Sequence, residues 1–255
     1  MKNKTILITG ASTGIGKALA IKLAKNNKLI LLARNIDLLS EIKKESCSGD
    51  NVDIYKCDVT KIDEVKEVFS SIVSKHNEID LAILNSGVSY RNSIEDYSSE
   101  KAKITMDTNY LGVIFCVEQL LPIFLRQKKG IIAGVSSLAD ARGFVKSGFY
   151  CASKAALTAY LESLRAELIP YGIKVVTIKP GFVKTPMTDK NEFKMPLLME
   201  VDEAADIIIN GLIQEKRIIQ FPMPIVLAVK FLKIIPNFLF EFISRNQLRI
   251  VGNKD

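Results

Sequence analysis

Two kinds of apolar pattern alternate along the chain. Short runs of Ile, Leu, Val and Ala are followed by longer stretches in which apolar residues recur every three or four positions, the period of an amphipathic helix. Lys4 to Thr9 reads as the first strand, followed by a helix through Ala18, Leu19, Leu23 and Ala24. Lys28 to Ala33 is strand two, Ile36 to Glu45 a helix, Val52 to Lys56 strand three, Ile62 to Ser74 a helix and Ile79 to Leu84 strand four. Ser99 to Arg126 has helical periodicity throughout. Gly130 to Val135 is strand five, Ser147 to Ile169 a helix, Ile173 to Ile178 strand six, Asp202 to Gln214 a helix and Arg217 to Gln220 strand seven. Such alternation predicts a doubly wound α/β fold: a seven-stranded, mostly parallel sheet with helices on both faces.

The first strand runs into Thr9-Gly10-Ala11-Ser12-Thr13-Gly14-Ile15-Gly16, which opens the first helix. Strand, glycine turn, helix is an architecture that binds a dinucleotide. Gly10 permits the tight turn, Gly14 lets backbone amides approach a pyrophosphate, and Gly16 allows close packing of helix on strand. The helix dipole favours the phosphate charge. Further along, Tyr150 and Lys154 stand one helical turn apart, with Ser137 thirteen positions before the tyrosine. Residues i and i+4 share a helix face, so the ammonium is expected beside the phenol. A nearby cation lowers a phenol pKa of about 10 toward the range that general acid catalysis needs. The chemistry this predicts is that of carbonyls and alcohols.

With both motifs in place, the chain resembles the short-chain dehydrogenase/reductase family, single-domain NAD(P)-dependent enzymes with a Rossmann-like sheet. The family pattern Thr-Gly-x-x-x-Gly-x-Gly matches Thr9 to Gly16, and the family's catalytic Asn, Ser, Tyr and Lys fall on Asn109, Ser137, Tyr150 and Lys154. Asp58, in Cys57-Asp58-Val59, matches the aspartate at the adenine. Pro180-Gly181 with Thr185 resembles the segment holding the nicotinamide carboxamide. One departure is that the usual Asn-Asn-Ala-Gly after strand four stands here as Leu84-Asn85-Ser86-Gly87. The cofactor site implied by the resemblance comprises Gly10, Ser12, Thr13, Gly14, Ile15, Gly16, Arg34, Asp58, Val59, Asn85, Gly87, Tyr150, Lys154, Pro180, Gly181, Val183 and Thr185. The implied reaction is a hydride exchange in which Tyr150 protonates the substrate oxygen and Ser137 orients the carbonyl. Lys154 would keep the tyrosine acidic and bond the nicotinamide ribose, while Asn109 would hold a water at Lys154. The resemblance also implies a homodimer or homotetramer built on the long helices.

Cofactor choice turns on the end of strand two. An acid there would bond the adenosine ribose of NAD and repel a 2′-phosphate, but the position holds Ala33, followed by Arg34, with Lys17 adding positive potential. NADP(H) is expected, with NAD(H) as the alternative. In the family the segment here numbered 186 to 200 lids the pocket. Phe193, Met195, Pro196, Leu197, Leu198 and Met199 make it apolar, which suits either a hydrophobic carbonyl substrate or ordinary Met-rich packing. The leading expectation is an NADPH-dependent reductase of an apolar, lipid-like ketone or aldehyde. The alternatives are an NAD-linked alcohol dehydrogenase and a dinucleotide-binding sensor or scaffold without turnover.

Composition narrows this further. With 255 residues, 48% of them apolar, the chain can bury a large core, and one domain spanning 1–255 is expected. Four cysteines, at 47, 57, 116 and 151, have no Cys-x-x-Cys spacing, and a lone His76 gives no metal partner, so reduced thiols and no metal are expected. The first strand begins too soon after Met1 for a signal peptide, which leads to an expectation of cytoplasmic residence. The net charge of +7 comes with no basic-aromatic cluster or recognition motif, against a nucleic-acid partner. The remaining feature is the apolar, basic extension 221–255. Ile225 to Ile243 is apolar but interrupted by Lys230, Lys233 and Pro236, too broken to span a bilayer. It would rest in a membrane interface, or else cover a neighbouring subunit or the pocket.

Overall fold

The computed structural model describes residues 1–46, 51–191 and 193–252, with side chains of the last helix described as far as Arg245. Cys47, Glu192 of the expected lid and the last three residues lie outside the described residues. The strands are β1 Thr5–Thr9, β2 Lys28–Ala33, β3 Val52–Lys56, β4 Leu81–Leu84, β5 Gly130–Val135, β6 Ile173–Pro180 and β7 Ile218–Phe221. They form one sheet in the order β3-β2-β1-β4-β5-β6-β7, with every neighbouring pair parallel. The expected sheet is therefore present, and it is wholly rather than mostly parallel.

Strand residues explain the layering. Side chains alternate across a sheet, so Ile6, Ile8, Leu29, Leu31, Ile83 and Ile178 enter one core while Leu7, Ile30, Leu32, Leu84 and Ile132 enter the other. The first core is closed by helices α1 (Gly14–Ala24), α2 (Ile36–Glu45) and, after β6, Val201–Ile213. The second is closed by α3 (Ile62–Lys75) and by the later helices that carry Val113, Leu120, Phe124, Leu157 and Leu161. Because both faces are covered, the strands read as continuous apolar runs.

The stretch expected as one helix from Ser99 is three pieces: α4 (Ser99–Met106), a π-helical turn at Asp107–Leu111, and α5 (Gly112–Gln127). By length and composition Ser99–Gln127 is apolar enough to cross a membrane, but half of its most apolar window is buried inside the fold. Helix α6 (Gly148–Leu168) follows β5, and α7 is Val201–Ile213. Two further helices close the chain, α8 (Met223–Ile234) and α9 (Asn237–Gly252), separated at Ile235 and Pro236. The strand order reverses between β1 and β4, and the crevice beyond the carboxyl ends of these strands is where such sheets bind ligands.

Candidate active site

Thr9, at the end of β1, begins the crevice. Its hydroxyl accepts hydrogen bonds from the backbone amides of Asn85 and Ser86, at 3.0 and 3.1 Å, tying the ends of β1 and β4 together. The Asn85 side-chain amide donates to the carbonyls of Thr9 and Gly10 at 3.2 and 3.1 Å. The Asn85-Ser86-Gly87 departure thus keeps the asparagine that braces the glycine turn. Gly10 turns the chain with φ +62°, a conformation that side chains disfavour. At Gly16 the demand is for space: a Cβ would lie 2.3 Å from the Gly10 carbonyl oxygen and 2.6 Å from Asn85 Nδ2. Gly16 therefore acts through packing and does not line the cleft.

The cleft above this turn has a volume of about 380 Å³. Every other residue expected to touch the cofactor lines it: Gly10, Ser12, Thr13, Gly14, Ile15, Arg34, Asp58, Val59, Asn85, Gly87, Tyr150, Lys154, Pro180, Gly181, Val183 and Thr185. Ser86, Val88, Thr108 and Ser136 also line it and were not among the expected cofactor residues, and Met187 and Thr188, in the segment expected to lid the pocket, line it as well. The first turn of α1 opens into the cleft with no acidic residue and no side-chain cap from Thr13. Its amide donors are thus left for an anion. Asp58 faces the cleft with its carboxylate braced by the Thr60 amide at 3.0 Å and the Thr60 hydroxyl at 2.8 Å. Ala33 and the exposed Arg34 form the wall at the end of β2, and among the described residues Arg34 makes no ion pair. Lys17 is not part of this wall: its ammonium pairs with Glu45 at 3.0 Å. These features fit a dinucleotide.

Tyr150, Lys154 and Ser137 converge at the other end of the cleft. Ser137 follows β5, and its hydroxyl caps a short 3-10 turn by accepting from the Ala139 amide at 3.1 Å. A Ser137 hydrogen bond pulls the Tyr150 phenol pKa down, but burial outweighs it and holds the phenol above its ordinary value. The expected depression by Lys154 is therefore not found. The ammonium lies 5.7 Å from the Tyr150 ring centroid and donates to the Val135 carbonyl at 2.8 Å. Lys154 is only 3% exposed, and burial pushes its pKa down to about 8.

Asn109 stands behind the cleft, fully buried, on the π-helical turn. Its oxygen accepts from the Val88 amide at 2.7 Å, and its amide donates to the Val88 carbonyl at 2.9 Å and to Ser153 Oγ at 3.0 Å. It thereby ties the loop after β4 to α6, the helix that carries Tyr150 and Lys154. A second network escaped the sequence reading. Ser136 Oγ lies 3.0 Å from the Lys154 carbonyl and 2.7 Å from Thr158 Oγ1, and Thr158 donates to Asp140 at 2.6 Å. Asp140 in turn pairs with Lys179 at 2.6 Å, both side chains largely buried.

The segment after β6 loops out and returns. Val183 and Met199 form a parallel bridge, with Lys184 N donating to Met199 O at 2.9 Å and Met199 N to Phe182 O at 3.0 Å. Between these pinned ends Met187 reaches the cleft while Leu197 and Leu198 face solvent. Cys57, Cys116 and Cys151 are free and buried, and no cluster of metal-ligating side chains occurs among the described residues.

The model of the short chain dehydrogenase family matches residues 4–195, and the chain belongs to that family. It is an oxidoreductase of the nicotinamide dinucleotide-binding kind. An uncharacterized oxidoreductase of Myxococcus xanthus is 34% identical over 247 residues, covering 96% of this chain and 98% of the relative. The NADP-dependent 3-hydroxy acid dehydrogenase of Schizosaccharomyces pombe is 32% identical, covering 86% of this chain and 90% of its own. A short-chain dehydrogenase/reductase of Burkholderia phymatum, solved in complex with NAD, superposes with a TM-score of 0.82 over 90% of this chain and 92% of its own. At 22% identity that likeness speaks for the fold alone.

Proposed function

We propose that this enzyme is an NADPH-dependent reductase of a ketone or aldehyde on an apolar, lipid-like molecule. The observation that carries the reading is the meeting of Tyr150, Ser137 and Lys154 at one end of a cleft whose other end is walled by Ala33 and Arg34. No carboxylate stands at Ala33 to repel a 2′-phosphate, and a guanidinium beside it suits one. The NADP-dependent relative from fission yeast supports the same choice. Met187 in the cleft, with Leu197 and Leu198 on the loop above it, supports an apolar substrate and a lid role for 186–200.

When bound, the dinucleotide supplies the hydride. Tyr150 holds the proton that the substrate oxygen takes up, and a phenol kept protonated by burial is in the right state to give it. Ser137, beside that phenol in the cleft, orients the carbonyl and supports charge developing on its oxygen. Lys154 adds positive charge beside the phenolate as the proton leaves. Asn109 fixes the loop and helix that hold these groups in register. The test is NADPH consumption with a series of aldehydes and ketones of rising alkyl length, run in parallel with NADH. The expected result is faster turnover with NADPH and a kcat/KM that climbs with chain length. Tyr150→Phe should bind NADPH as before and lose ~10²- to 10⁴-fold in kcat. A variant that turns over at the wild-type rate removes the tyrosine from the reaction.

A further inference from the structure

The last two helices carry two sets of apolar residues. Val226 and Ile235 are buried, and Phe240 packs edge-on against Phe144 with the Arg142 guanidinium 4.3 Å above its ring. Arg142 also reaches Asn237 Oδ1 at 3.3 Å and the Ile235 carbonyl at 3.5 Å. The helices are thus held on the segment that follows Ser137, in their own chain. The second set points away from it. Met223, Leu227, Phe231, Ile234, Phe238 and Phe242 are each between 55% and 78% exposed. Within α8 Met223, Leu227, Phe231 and Ile234 recur at steps of four, four and three, and within α9 Phe238 and Phe242 stand four apart, the spacing of one face on each helix. Lys230 and Lys233 are exposed on α8 beside this row and make no ion pair among the described residues. From Gln220 to Arg245 the only acid is Glu241.

We propose that the outward face of α8 and α9 docks on the surface of an anionic lipid bilayer. The apolar row would enter the acyl boundary, and Lys230, Lys233 and Arg245 would meet the phosphates. Charge decides between a lipid surface and a second copy of the chain. Two copies meeting through this face would bring lysines together around a dry apolar strip with a single acid each to offset them, whereas anionic headgroups offset all of them. Length decides between docking and spanning. The twelve residues of α8 make a rod of ~18 Å, well short of a ~30 Å hydrocarbon core, so the helix lies in the interface. The docking does not depend on the reaction proposed above, since its test needs no turnover.

The test is sedimentation of the full chain with vesicles of phosphatidylcholine alone and of phosphatidylcholine containing one third phosphatidylserine. Partitioning into the phosphatidylserine vesicles is expected to be ~10-fold or more stronger, and to fall in molar salt. Replacing three exposed residues together, Leu227→Ser, Phe231→Ser and Phe238→Ser, should weaken it by ~100-fold or more while circular dichroism stays native. Lys230→Glu with Lys233→Glu, which leaves the apolar row intact, should abolish the preference for phosphatidylserine, and provides the answer if the serine variant fails to fold. Equal recovery of the wild-type chain in the supernatant with both vesicles would overturn the proposal. So would light scattering that finds a dimer which the serine substitutions dissociate, with no vesicle binding, because the face would then belong to a second copy.

Discussion

Replacing Lys154 with methionine should make the protein more stable at neutral pH and less so in base. The ammonium is 3% exposed, with a hydrogen bond to the Val135 carbonyl as its compensation, and its pKa lies at about 8 against an ordinary 10.5. That gap corresponds to ~3 kcal/mol. The sign follows from proton binding. Below about 8 the lysine is charged whether the chain is folded or not, and the folded state carries the whole cost of burying the charge. Between about 8 and 10.5 the unfolded chain binds the proton and the folded chain does not, so stability rises with pH until the cost is gone. Methionine has a similar length and no charge, but it leaves the Val135 carbonyl without its donor, a loss of ~1 kcal/mol.

The balance is a variant more stable by ~2 kcal/mol at pH 7, about equal to wild type near pH 10, and less stable by ~1 kcal/mol only above about pH 11. Urea unfolding of both proteins without dinucleotide, repeated across that range, measures it. Other titrating groups are common to both chains and cancel in the difference. A variant less stable than wild type at pH 7, or a difference that does not shrink as pH rises, would refute the argument that burial of this charge is what sets its pKa. The stabilised variant should also be inactive, as expected where a site holds a costly group for its chemistry.

Two further substitutions test the supports of the site. Gly16→Ala places a Cβ 2.3 Å from a backbone oxygen that cannot move aside, so α1 must shift from the turn. A loss of ~2 kcal/mol or more in urea and a weakened NADPH fluorescence titration are expected, and wild-type values on both would show that the contact yields easily. Asp140→Asn leaves the mostly buried Lys179 without its counter-charge, which should cost ~3 kcal/mol. It also removes a negative charge that raises the Tyr150 pKa, so the loss of reductase activity in base should begin at lower pH, and an unchanged pH profile would disconnect Asp140 from the tyrosine.

What the sequence conveyed divides along a physical line. The limits of β2, α2, β3 and β5 agree with the apolar runs to the residue, because local signals mark them: Asn35 caps α2 by accepting from the Asp37 and Leu38 amides, and Gly130 opens β5. The cleft lining was legible for the same reason, as the motif residues sit at strand ends that topology brings together. Where the reading fell short, a distant partner decides. The π-helical turn is hidden within good helical periodicity, and its Asn109 is fixed by Val88 and Ser153 on other elements. Spacing alone suggested that Lys154 governs Tyr150, but its ammonium turns to Val135 and burial dominates the phenol. Lys17 looked like cofactor potential until Glu45 was seen across from it, and the link from Asp140 to Lys179 joins residues no sequence window contains.

That division also explains where the fold accepts cost. The two cores on either face of the sheet are almost wholly apolar, and most of the buried polar side chains gather near the carboxyl end of the sheet: Thr9, Thr108, Asn109, Ser136, Ser137, Ser153 and Lys154. Each buried polar group has to be matched by a hydrogen bond or it destabilises the protein, and here the matches are made between elements. Thr9 bonds the start of the loop after β4, Asn109 bonds its middle and α6, and Ser136 bonds the backbone of Lys154. These bonds fix the relative positions of β1, β4, β5 and α6 at the one edge where strand order reverses. The apolar contacts are non-directional, whereas this network's hydrogen bonds are met in few arrangements. The polar residues near the cleft therefore determine the geometry in which the Tyr150 phenol, the Ser137 hydroxyl and the Lys154 ammonium converge, and the cores supply the stability that lets one of them remain charged and buried.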